Sequence, residues 1–403
     1  MISALPFLPY QKSIKLHTGR LEVTVRRSDW NLDDLCGFAG RHNPSRGYLF
    51  VSKVLGKHYP ARPSSMARIQ ALLAEKLLAL NLAEPVVMIA MAETATGLGL
   101  GIFEEAMARE NRPDWLFTQT TRYALNHPVA LRLTEDHCHA RDHLVYEPAS
   151  PEGRELLRSA RTLIIVDDEM STGNTMLNLV RAYLQIAPGL NRLVLATITC
   201  WLDSPAQAAL AAKFTGQSDF VSVLDGSFTF EPDPAALIDR PVFKSIGDWQ
   251  NKDHLLSGKF GRLGIRSLNL GDARTALRQQ LGNLKLKRSR PVLVLGSGEF
   301  THYPYQLARL LEEDGYEVFF QSTTRTPIAI GGDIGTMLQF PDNYHDGIDN
   351  FLYNVNPESD SQKFIGYETA VLPQGHDLPQ KLRASSIFFY TAQEGLIIKG
   401  FPF

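Results

Sequence analysis

Short, continuously apolar segments alternate along this chain with segments whose apolar residues recur at every third or fourth position. Residues 86–91 are continuously apolar, and so are residues 163–166 at the centre of the segment 161–168, a pattern typical of strands buried on both faces of a parallel sheet. Between residues 69 and 80, isoleucine and leucine recur at helical spacing, and Ser64 and Ser65 precede them as capping residues. Repeated strand–helix units of this kind predict an open parallel α/β sheet.

The same patterns continue to about residue 230. They predict one helix that ends near residue 111 and two more at residues 151–160 and 174–186. They also predict strands at residues 115–121, 129–133 and 190–201. The pattern then changes near Asp225 and Gly226, because alternating runs at residues 220–224 and 227–230 flank a hairpin-type turn. We therefore expect an antiparallel addition to the parallel sheet.

A second, smaller α/β unit is predicted to begin at Pro291. Residues 292–295 are typical of a strand, residues 296–298 of a tight glycine turn, residues 305–314 of a helix and residues 316–321 of a further strand. The polar stretch before it carries many basic and glycine residues. We expect a first domain over residues 1–243, a connecting segment over 244–290 and a second domain over 291–403.

Composition narrows the class of protein. The chain has 403 residues, of which 44% are hydrophobic and 21% charged, the balance of a globular protein with two domains. Its net charge of −2 disfavours a general nucleic-acid binder. The longest apolar stretch, residues 85–103, is interrupted by Glu93, so no membrane span is expected. Without a secretory signal in residues 1–19, and with only three cysteines, the sequence predicts a cytoplasmic protein.

The strongest chemical signal lies in residues 164–175, which read IIVDDEMSTGNT. An apolar strand ends in the two carboxylates of Asp167 and Asp168, and a loop of hydroxyl and glycine residues then enters a helix. Backbone N–H groups at a helix N-terminus favour a phosphate. Carboxylates at the carboxyl end of a strand can accept hydrogen bonds from two neighbouring sugar hydroxyls. The segment therefore predicts a site that holds a sugar phosphate at both ends.

This segment resembles the phosphoribosyl-pyrophosphate (PRPP) motif of type I phosphoribosyltransferases. The resemblance implies that fold for the first domain, with Asp167 and Asp168 on the ribose hydroxyls and beside Mg²⁺. It assigns the 5′-phosphate to the loop residues Ser171, Thr172, Gly173, Asn174 and Thr175. We also expect a homodimer with small-molecule substrates. The alternatives are an ordinary solvated loop, or PRPP binding without catalysis.

Ser171 limits which acceptor bases are expected. In the 6-oxopurine enzymes of the family this position carries a carboxylate that handles a proton on the base. A serine hydroxyl is a poor base at neutral pH, so hypoxanthine or guanine salvage is disfavoured. An orotate-like or unusual acceptor fits better.

Residues 91–99, MAETATGLG, follow one predicted strand and precede a helix. In the family the corresponding loop touches pyrophosphate, which makes Thr94 a candidate contact. Glu93 is a candidate catalytic group that could reach Mg²⁺ or a positively charged acceptor. An ordinary loop with a solvated glutamate is an equal alternative.

Residues 41–58 mix cations, aromatic side chains and turn residues. Such mixtures suit a polyphosphate or an aromatic base. Their position ahead of the core sheet matches the hood that covers the acceptor in this fold. Lys53 and Lys57 are candidate pyrophosphate ligands, and a solvated cationic strand is the equal alternative.

Residues 135–143, EDHCHARDH, concentrate imidazole, thiol and carboxylate groups. In the family this position is the mobile loop that closes over PRPP, which makes His137, His139 and Arg141 candidate catalytic residues that bind or protonate pyrophosphate. Zinc binding by His137, Cys138, His139 and His143 is the second interpretation. A solvated loop is the third.

The C-terminal half carries Thr324-Arg325-Thr326-Pro327 among turn residues, and Arg325 could clamp a phosphate or carboxylate. The whole chain resembles a bacterial family in which a phosphoribosyltransferase-like domain precedes a domain called TRSP, with threonine here in place of serine. That family is associated with tellurium-resistance and stress operons and with synthesis of a nucleoside-like metabolite. The resemblance implies phosphoribosyl transfer to or from a nitrogenous base. A PRPP or nucleotide sensor is the alternative, and nucleotide hydrolysis or phosphorolysis is a weaker third.

Overall fold

A computed structural model describes residues 9–41, 46–133, 143–236, 243–244, 261–266, 270–281, 284, 286–369, 371–392 and 395–401. None of the helices in these ranges combines the length and apolar character needed to cross a bilayer.

The strands and helices of the N-terminal part alternate in the way the sequence predicts, with additional strands before residue 60. In chain order they are β1 (Tyr10–Leu16), β2 (Gly19–Ser28), α1 (Leu32–Leu35), β3 (Cys36–Gly40), β4 (Tyr48–Ser52), α2 (Pro63–Leu78), β5 (Val86–Ala90), α3 (Thr96–Arg109), β6 (Trp115–Gln119), β7 (Val129–Leu133), β8 (His143–Tyr146), α4 (Pro151–Ser159), β9 (Thr162–Met170), α5 (Asn174–Tyr183), β10 (Arg192–Cys200), α6 (Ser204–Ala211) and β11 (Gln217–Pro232).

Seven of these strands form one sheet, in the order β1-β2-β11-β10-β9-β5-β6. The strands from β11 to β6 run parallel, whereas β1 and β2 are antiparallel. Neighbouring residues of β9 face opposite cores: Ile164 packs in one cluster with α2 and α3, and Ile165 in another with α4 and α5. Helices therefore cover both faces, and the carboxyl ends of β5, β6 and β9 meet at one edge.

The predicted hairpin near residue 225 is wrong. β11 instead continues through Asp225 and Gly226 with a bulge at that point, and its second half pairs antiparallel with β2. A Cβ on Gly226 would lie 2.7 Å from the Thr24 carbonyl oxygen, so the bulge needs glycine for this close approach. Arg27 of β2 binds Asp225 at 2.7 Å. The antiparallel addition is present, but it comes from the N-terminal strands.

The C-terminal part forms a second, smaller α/β unit, as predicted. Its strands form a five-stranded sheet in the order β13-β12-β16-β17-β18 and a separate pair, β14-β15. In chain order the elements are α7 (Leu270–Leu281), β12 (Val292–Gly296), α8 (His302–Glu313), β13 (Val318–Ser322), β14 (Met337–Pro341), β15 (Asp349–Tyr353), β16 (Gln362–Tyr367), α9 (Leu378–Leu382), β17 (Ser385–Ala392) and β18 (Gly395–Phe401).

A segment of the N-terminal part extends the sheet of the C-terminal unit. The backbone of Ala61 exchanges two hydrogen bonds with that of Phe320 in β13, at 2.9 and 2.8 Å, and the Ser322 N–H donates to the Gly56 carbonyl at 2.8 Å. Residues 56–61 therefore lie along the free edge of the second sheet, and this pairing fixes the two units relative to each other.

The expected connecting segment is partly built into the interface between the units. Ile265 pairs with Phe117 at the edge of the first sheet through two backbone hydrogen bonds of 2.8 Å. The guanidinium of Arg262, which is fully buried, donates to both oxygens of Glu368 at 2.9 and 2.8 Å and lies 3.2 Å from Glu299. Residues 261–266 therefore join the two units tightly, and the domain boundaries themselves stay a prediction.

Candidate active site

The turn from β9 into α5 gathers hydroxyl groups at the start of a helix. Gly173 immediately precedes the helix and adopts the left-handed conformation, with φ 71° and ψ 5°. The Asn174 N–H lies 3.4 Å from the Thr172 hydroxyl, and the Leu177 N–H donates to the Gly173 carbonyl at 3.0 Å. The start of α5 thus lies beside the Thr172 hydroxyl, an arrangement suited to an anion.

Two adjacent carboxylates end the buried part of β9. The Asp168 N–H donates to Asp167 Oδ1 at 2.9 Å, and within the described ranges neither carboxylate forms a salt bridge. Burial and the neighbouring Asp168 raise the pKa of Asp167 well above its ordinary value. Burial likewise raises the pKa of Asp168. Such a pair gains stability from any cation or hydroxyl donor that lies against it.

Glu169 adds a third carboxylate, which the sequence interpretation did not assign. Its Oε1 accepts from Arg46 Nη2 at 2.7 Å. Burial raises the pKa of Glu169 to about 7, against the opposing effect of Arg46. A carboxyl that titrates near neutral pH can accept or release a proton during a reaction. The run of three acids after an apolar strand was the signal in the sequence that could have identified Glu169.

The loop and the acids line one cavity of about 220 Å³. Thr94, from the loop after β5, reaches the same cavity, and so do the hood residues Leu49 and Phe50. Phe50 stacks on Trp201 with ring centroids 4.4 Å apart, which fixes this wall. The residues that line the cavity are Arg41, Arg46, Leu49, Phe50, His58, Thr94, Asp167, Asp168, Glu169, Met170, Ser171, Thr172, Gly173, Asn174, Thr175, Met176 and Thr326.

The structure places Glu93 and Lys57 outside this cavity lining, contrary to their expected roles. Lys57 Nζ lies 2.5 Å from Glu93 Oε1 and also donates to the carbonyls of Thr323 at 2.7 Å and Gly298 at 3.2 Å. Burial would raise the pKa of Glu93, but Lys57 and Arg325 outweigh it and lower that pKa. Glu93 is therefore an ionised structural partner of Lys57, and neither group is positioned for chemistry.

Lys53 is also directed away from the cavity. Its Nζ lies 3.0 Å from Asp333 Oδ1 and donates to the Asp33 carbonyl at 3.1 Å. The expected contact of Lys53 with pyrophosphate is therefore not supported by its position. The hood cations that do reach the cavity are Arg41 and Arg46.

The candidate loop residues His137, Cys138, His139 and Arg141 lie outside the described residues. His143 is described and is buried at the start of β8. Its Nδ1 lies 3.0 Å from the Thr120 hydroxyl and its Nε2 2.9 Å from Arg122 Nη2. Because arginine only donates, Nε2 must accept and Nδ1 must carry the proton. Both nitrogens of His143 are thus engaged, which disfavours it as a zinc ligand.

The donor set at the end of β9 fits a hard divalent cation such as Mg²⁺. Oxygen ligands from one or two carboxylates, completed by substrate phosphates and water, are typical for Mg²⁺. Asp167 and Asp168 offer such oxygens. Burial and the charge of Asp168 raise the pKa of Asp167, and burial raises the pKa of Asp168, so a cation at this position would offset both effects. Among the described residues, no three His, Cys, Asp or Glu side chains form a metal site by themselves.

The C-terminal unit also reaches the cavity, which the sequence interpretation did not predict. Thr326, the third residue of the Thr-Arg-Thr-Pro segment, is among the lining residues. The neighbouring Arg325 is directed elsewhere, onto Asp346 at 3.1 Å and over the ring of Tyr123 at 4.6 Å. The expected clamp on a ligand phosphate by Arg325 is therefore not supported, because this guanidinium is used between the two units.

Two family models match the chain. One, described as phosphoribosyl transferase, matches residues 35–227. The other, described as the TRSP domain C-terminal to that transferase domain, matches residues 259–382. Among proteins with curated descriptions, none matches this sequence significantly.

Solved structures of phosphoribosyltransferases are similar to part of the chain. Adenine phosphoribosyltransferase from Trypanosoma brucei is 12% identical with a TM-score of 0.35, covering 50% of this chain and 83% of its own. Hypoxanthine phosphoribosyltransferase from Staphylococcus aureus is 10% identical with a TM-score of 0.26, covering 42% and 78%. Orotate phosphoribosyltransferase from Francisella tularensis is 11% identical with a TM-score of 0.26, covering 40% and 66%.

Proposed function

Because the chain belongs to the family in which a phosphoribosyl transferase domain precedes a TRSP domain, we propose that it transfers phosphoribose between PRPP and a nitrogenous base. The observation that carries the proposal is the cavity shared by the Ser171–Thr175 loop and by Asp167 and Asp168. The loop can donate hydrogen bonds to a phosphate, and the carboxylates can accept hydrogen bonds from sugar hydroxyls. These two groups at the ends of one cavity match the two ends of a ribose 5-phosphate.

The binding step would use groups that line this cavity. The 5′-phosphate would bind the first N–H groups of α5 and the hydroxyls of Ser171, Thr172 and Thr175. The ribose 2′- and 3′-hydroxyls would donate to Asp167 and Asp168. Asp167 and Asp168 would hold Mg²⁺, which would supply neutralisation of charge on the pyrophosphate. Fixing both ends of the sugar would set the position of C1′ for the transfer.

The transfer step forms a bond from the acceptor nitrogen to C1′ while the bond from C1′ to the pyrophosphate oxygen breaks. The electron pair of the broken bond leaves with pyrophosphate, and the acceptor nitrogen must release a proton. We assign that proton to Glu169, because its carboxylate lines the same cavity as Asp168 and the Ser171–Thr175 loop, and because Ser171 is a poor base. The pKa of Glu169, raised by burial to about 7, agrees with this role. Arg46, at 2.7 Å, holds the Glu169 carboxylate in the cavity.

The finer expectations from the sequence and from the family resemblance extend this proposal. They are a homodimer, a cytoplasmic location, an orotate-like or unusual acceptor, and a part in making a nucleoside-like metabolite in stress or tellurium resistance.

A sensor of PRPP or nucleotide without turnover is the second candidate. The observation that favours it is Thr326, which brings the C-terminal unit into contact with the cavity, so that occupancy could be relayed to that unit. Binding alone does not separate a sensor from an enzyme, so the separating measurement must be turnover.

The test of the proposed function incubates the full chain with Mg²⁺, PRPP and a bacterial metabolite extract, and follows the mixture by mass spectrometry. A transferase produces pyrophosphate together with a new species heavier than an extract metabolite by one phosphoribosyl group. The variant Asp168→Asn serves as the control and should abolish that species. PRPP that binds but is never consumed would favour the sensor, and PRPP that does not bind would reject both.

A further inference from the structure

Two residues that were not among the candidate ligands named from the sequence, one at the end of the segment 41–58 and one in the C-terminal unit, share one wall of the cavity. His58 lies just beyond the hood strands, and Thr326 belongs to the C-terminal unit, 268 positions later in the chain. Both line the cavity that holds Asp167, Asp168 and the Ser171–Thr175 loop. This wall therefore exists only when the two units are together.

The imidazole of His58 has an unexplained nitrogen. His58 is only 8% exposed, yet within the described chain its Nε2 is buried without a hydrogen-bond partner. Burial, reinforced by the cations Lys57 and Arg41, lowers the pKa of His58 to about 3, so the ring is neutral and carries one N–H. Buried polar atoms in proteins are nearly always satisfied, so a ligand group that reaches this ring would supply the missing partner.

The C-terminal unit holds both residues rigidly. Asn354 Nδ2 donates to the His58 carbonyl at 3.0 Å, and the hydroxyl of the adjacent Tyr353 donates to the Thr326 carbonyl at 2.9 Å. The ring of Tyr353 also packs edge-on against the His58 ring, with centroids 6.0 Å apart. The end of β15 thus supports the two halves of the wall together.

The wall also connects with the loop that carries Thr94. The Arg325 N–H lies 3.4 Å from Glu93 Oε2, and Glu93 precedes Thr94 in the chain. Thr326 follows Arg325 directly, and the Thr326 N–H donates to the Thr324 hydroxyl at 3.2 Å. The side chains of Thr94, Thr326 and His58 therefore line the cavity from segments that are bonded to one another.

The chemistry of this wall favours an anion with several oxygen atoms. A neutral imidazole N–H and a threonine hydroxyl are both donors, and Arg41 adds a positive charge to the same cavity. The carboxylates that would repel an anion belong to the β9 end. A ribose 5-phosphate held by the α5 loop and by the acids leaves the pyrophosphate of PRPP as the part still to be bound.

We propose that His58 and Thr326 bind the pyrophosphate end of PRPP, so that the C-terminal unit completes the substrate site. This inference rests on the proposed function and gives the second unit a direct part in it. The two side chains donate hydrogen bonds and transfer no proton. They take the place that Lys53 and Lys57 do not fill.

Calorimetric titrations of the full chain with three probes test this assignment. The probes are PRPP, ribose 5-phosphate and inorganic pyrophosphate, each with Mg²⁺. His58→Ala and Thr326→Val should each weaken PRPP and pyrophosphate binding by about tenfold or more, the effect of losing one hydrogen bond to a charged group. Their affinity for ribose 5-phosphate should stay within about twofold of wild type, and Thr326→Ser should restore PRPP binding.

Matched control variants are available in the same unit. His376 is buried and has both ring nitrogens engaged, by Tyr367 and by the Pro341 carbonyl. Thr336 is exposed and its hydroxyl lies 3.4 Å from the Val355 carbonyl oxygen. Neither lines the cavity, so His376→Gln and Thr336→Val should leave the affinity for all three probes unchanged.

The outcomes separate this inference from the proposed function. A wild-type chain that binds neither PRPP nor ribose 5-phosphate rejects both. If the wild-type chain binds PRPP and both variants bind it with unchanged affinity, only the assignment of His58 and Thr326 is rejected. The same holds if the variants lose affinity for ribose 5-phosphate as much as for PRPP. If the variants do not fold, ¹⁵N spectra of the wild-type imidazoles decide: pyrophosphate with Mg²⁺ should shift the His58 signals, and unshifted signals overturn the inference.

Discussion

Lys57 and Glu93 form a buried ion pair in which Nζ and Oε1 are 2.5 Å apart, and the side chains are 3% and 10% exposed. Two further acceptors of Lys57, the carbonyls of Thr323 and Gly298, belong to the C-terminal unit. One ammonium group therefore ties the hood segment, the loop after β5 and the second unit together.

Removing this ammonium should destabilise the protein strongly. Lys57→Met leaves the ionised Glu93 buried without its main partner, and breaking one side of a buried pair costs about 3–5 kcal/mol. Urea unfolding of the variant should show that loss in the free energy of unfolding. The double variant Lys57→Met/Glu93→Gln removes the stranded charge and should recover part of the stability. A single variant as stable as wild type would show that the pair is not formed.

Gly173 is required by the backbone of the phosphate loop. Its φ of 71° lies in the left-handed region, and a Cβ there would lie 2.8 Å from a methyl carbon of Leu210. Gly173→Ala should therefore cost about 1–2 kcal/mol and weaken PRPP binding, because the start of α5 must shift. Gly189, with nothing within 4 Å of its Cβ position and no positive φ, is the matched control. Equal thermal stability and equal PRPP affinity for both alanine variants would contradict this role.

Glu169 should make stability depend on pH. Its folded-state pKa of about 7 exceeds its ordinary value of 4.5, so between these values the folded state binds more protons than the unfolded state. Stability from this group is present below about pH 4.5 and is lost as the pH rises toward 7. Glu169→Gln does not titrate, so its free energy of unfolding relative to wild type should rise by on the order of 2 kcal/mol from pH 5 to pH 8. Parallel pH profiles for the two proteins would refute the raised pKa.

The buried guanidinium of Arg262 should matter more than exposed arginines. It is 2% exposed and pairs with Glu299 and Glu368, so Arg262→Met strands two carboxylates and should cost about 3–5 kcal/mol. Arg20, 59% exposed and 4.0 Å from Glu22, is the control, because such surface pairs contribute about 0–1 kcal/mol. Urea unfolding of Arg262→Met and of Arg20→Met gives the two free energies of unfolding to compare. Similar stabilities would mean that residues 261–266 do not join the units.

The local patterns of the sequence were sufficient for much of the fold. The strand at residues 86–90 and the helix that begins at Asn174 were predictable because burial on both faces and helical spacing leave clear signals. The continuous β11 was not predictable, because Asp225-Gly226 has the composition of a turn and only pairing with β2 decides otherwise. Tertiary pairing thus overrides local turn chemistry at that position.

The residues of the candidate site likewise fall into those that the sequence predicted and those that it did not. The sequence identified Asp167, Asp168 and the Ser171–Thr175 loop, which are contiguous, and all of them line the cavity. It did not single out His58, which ends the segment 41–58, or Thr326, which lies in the other unit and reaches the cavity only because the two units pack together. It named Lys57 as a pyrophosphate ligand, because a lysine beside aromatic and turn residues has the pattern of a surface cation. Its buried ion pair with Glu93 is visible only in the structure.

The most direct test of the proposed PRPP site is a calorimetric titration of the full chain with PRPP in the presence of Mg²⁺. We predict saturable binding at one site per chain, and a loss of affinity of about tenfold or more in Thr172→Ala and in Asp168→Asn, since each removes a group assigned to one end of the sugar phosphate. Unchanged affinity in both variants, or no binding to the wild-type chain, would contradict it.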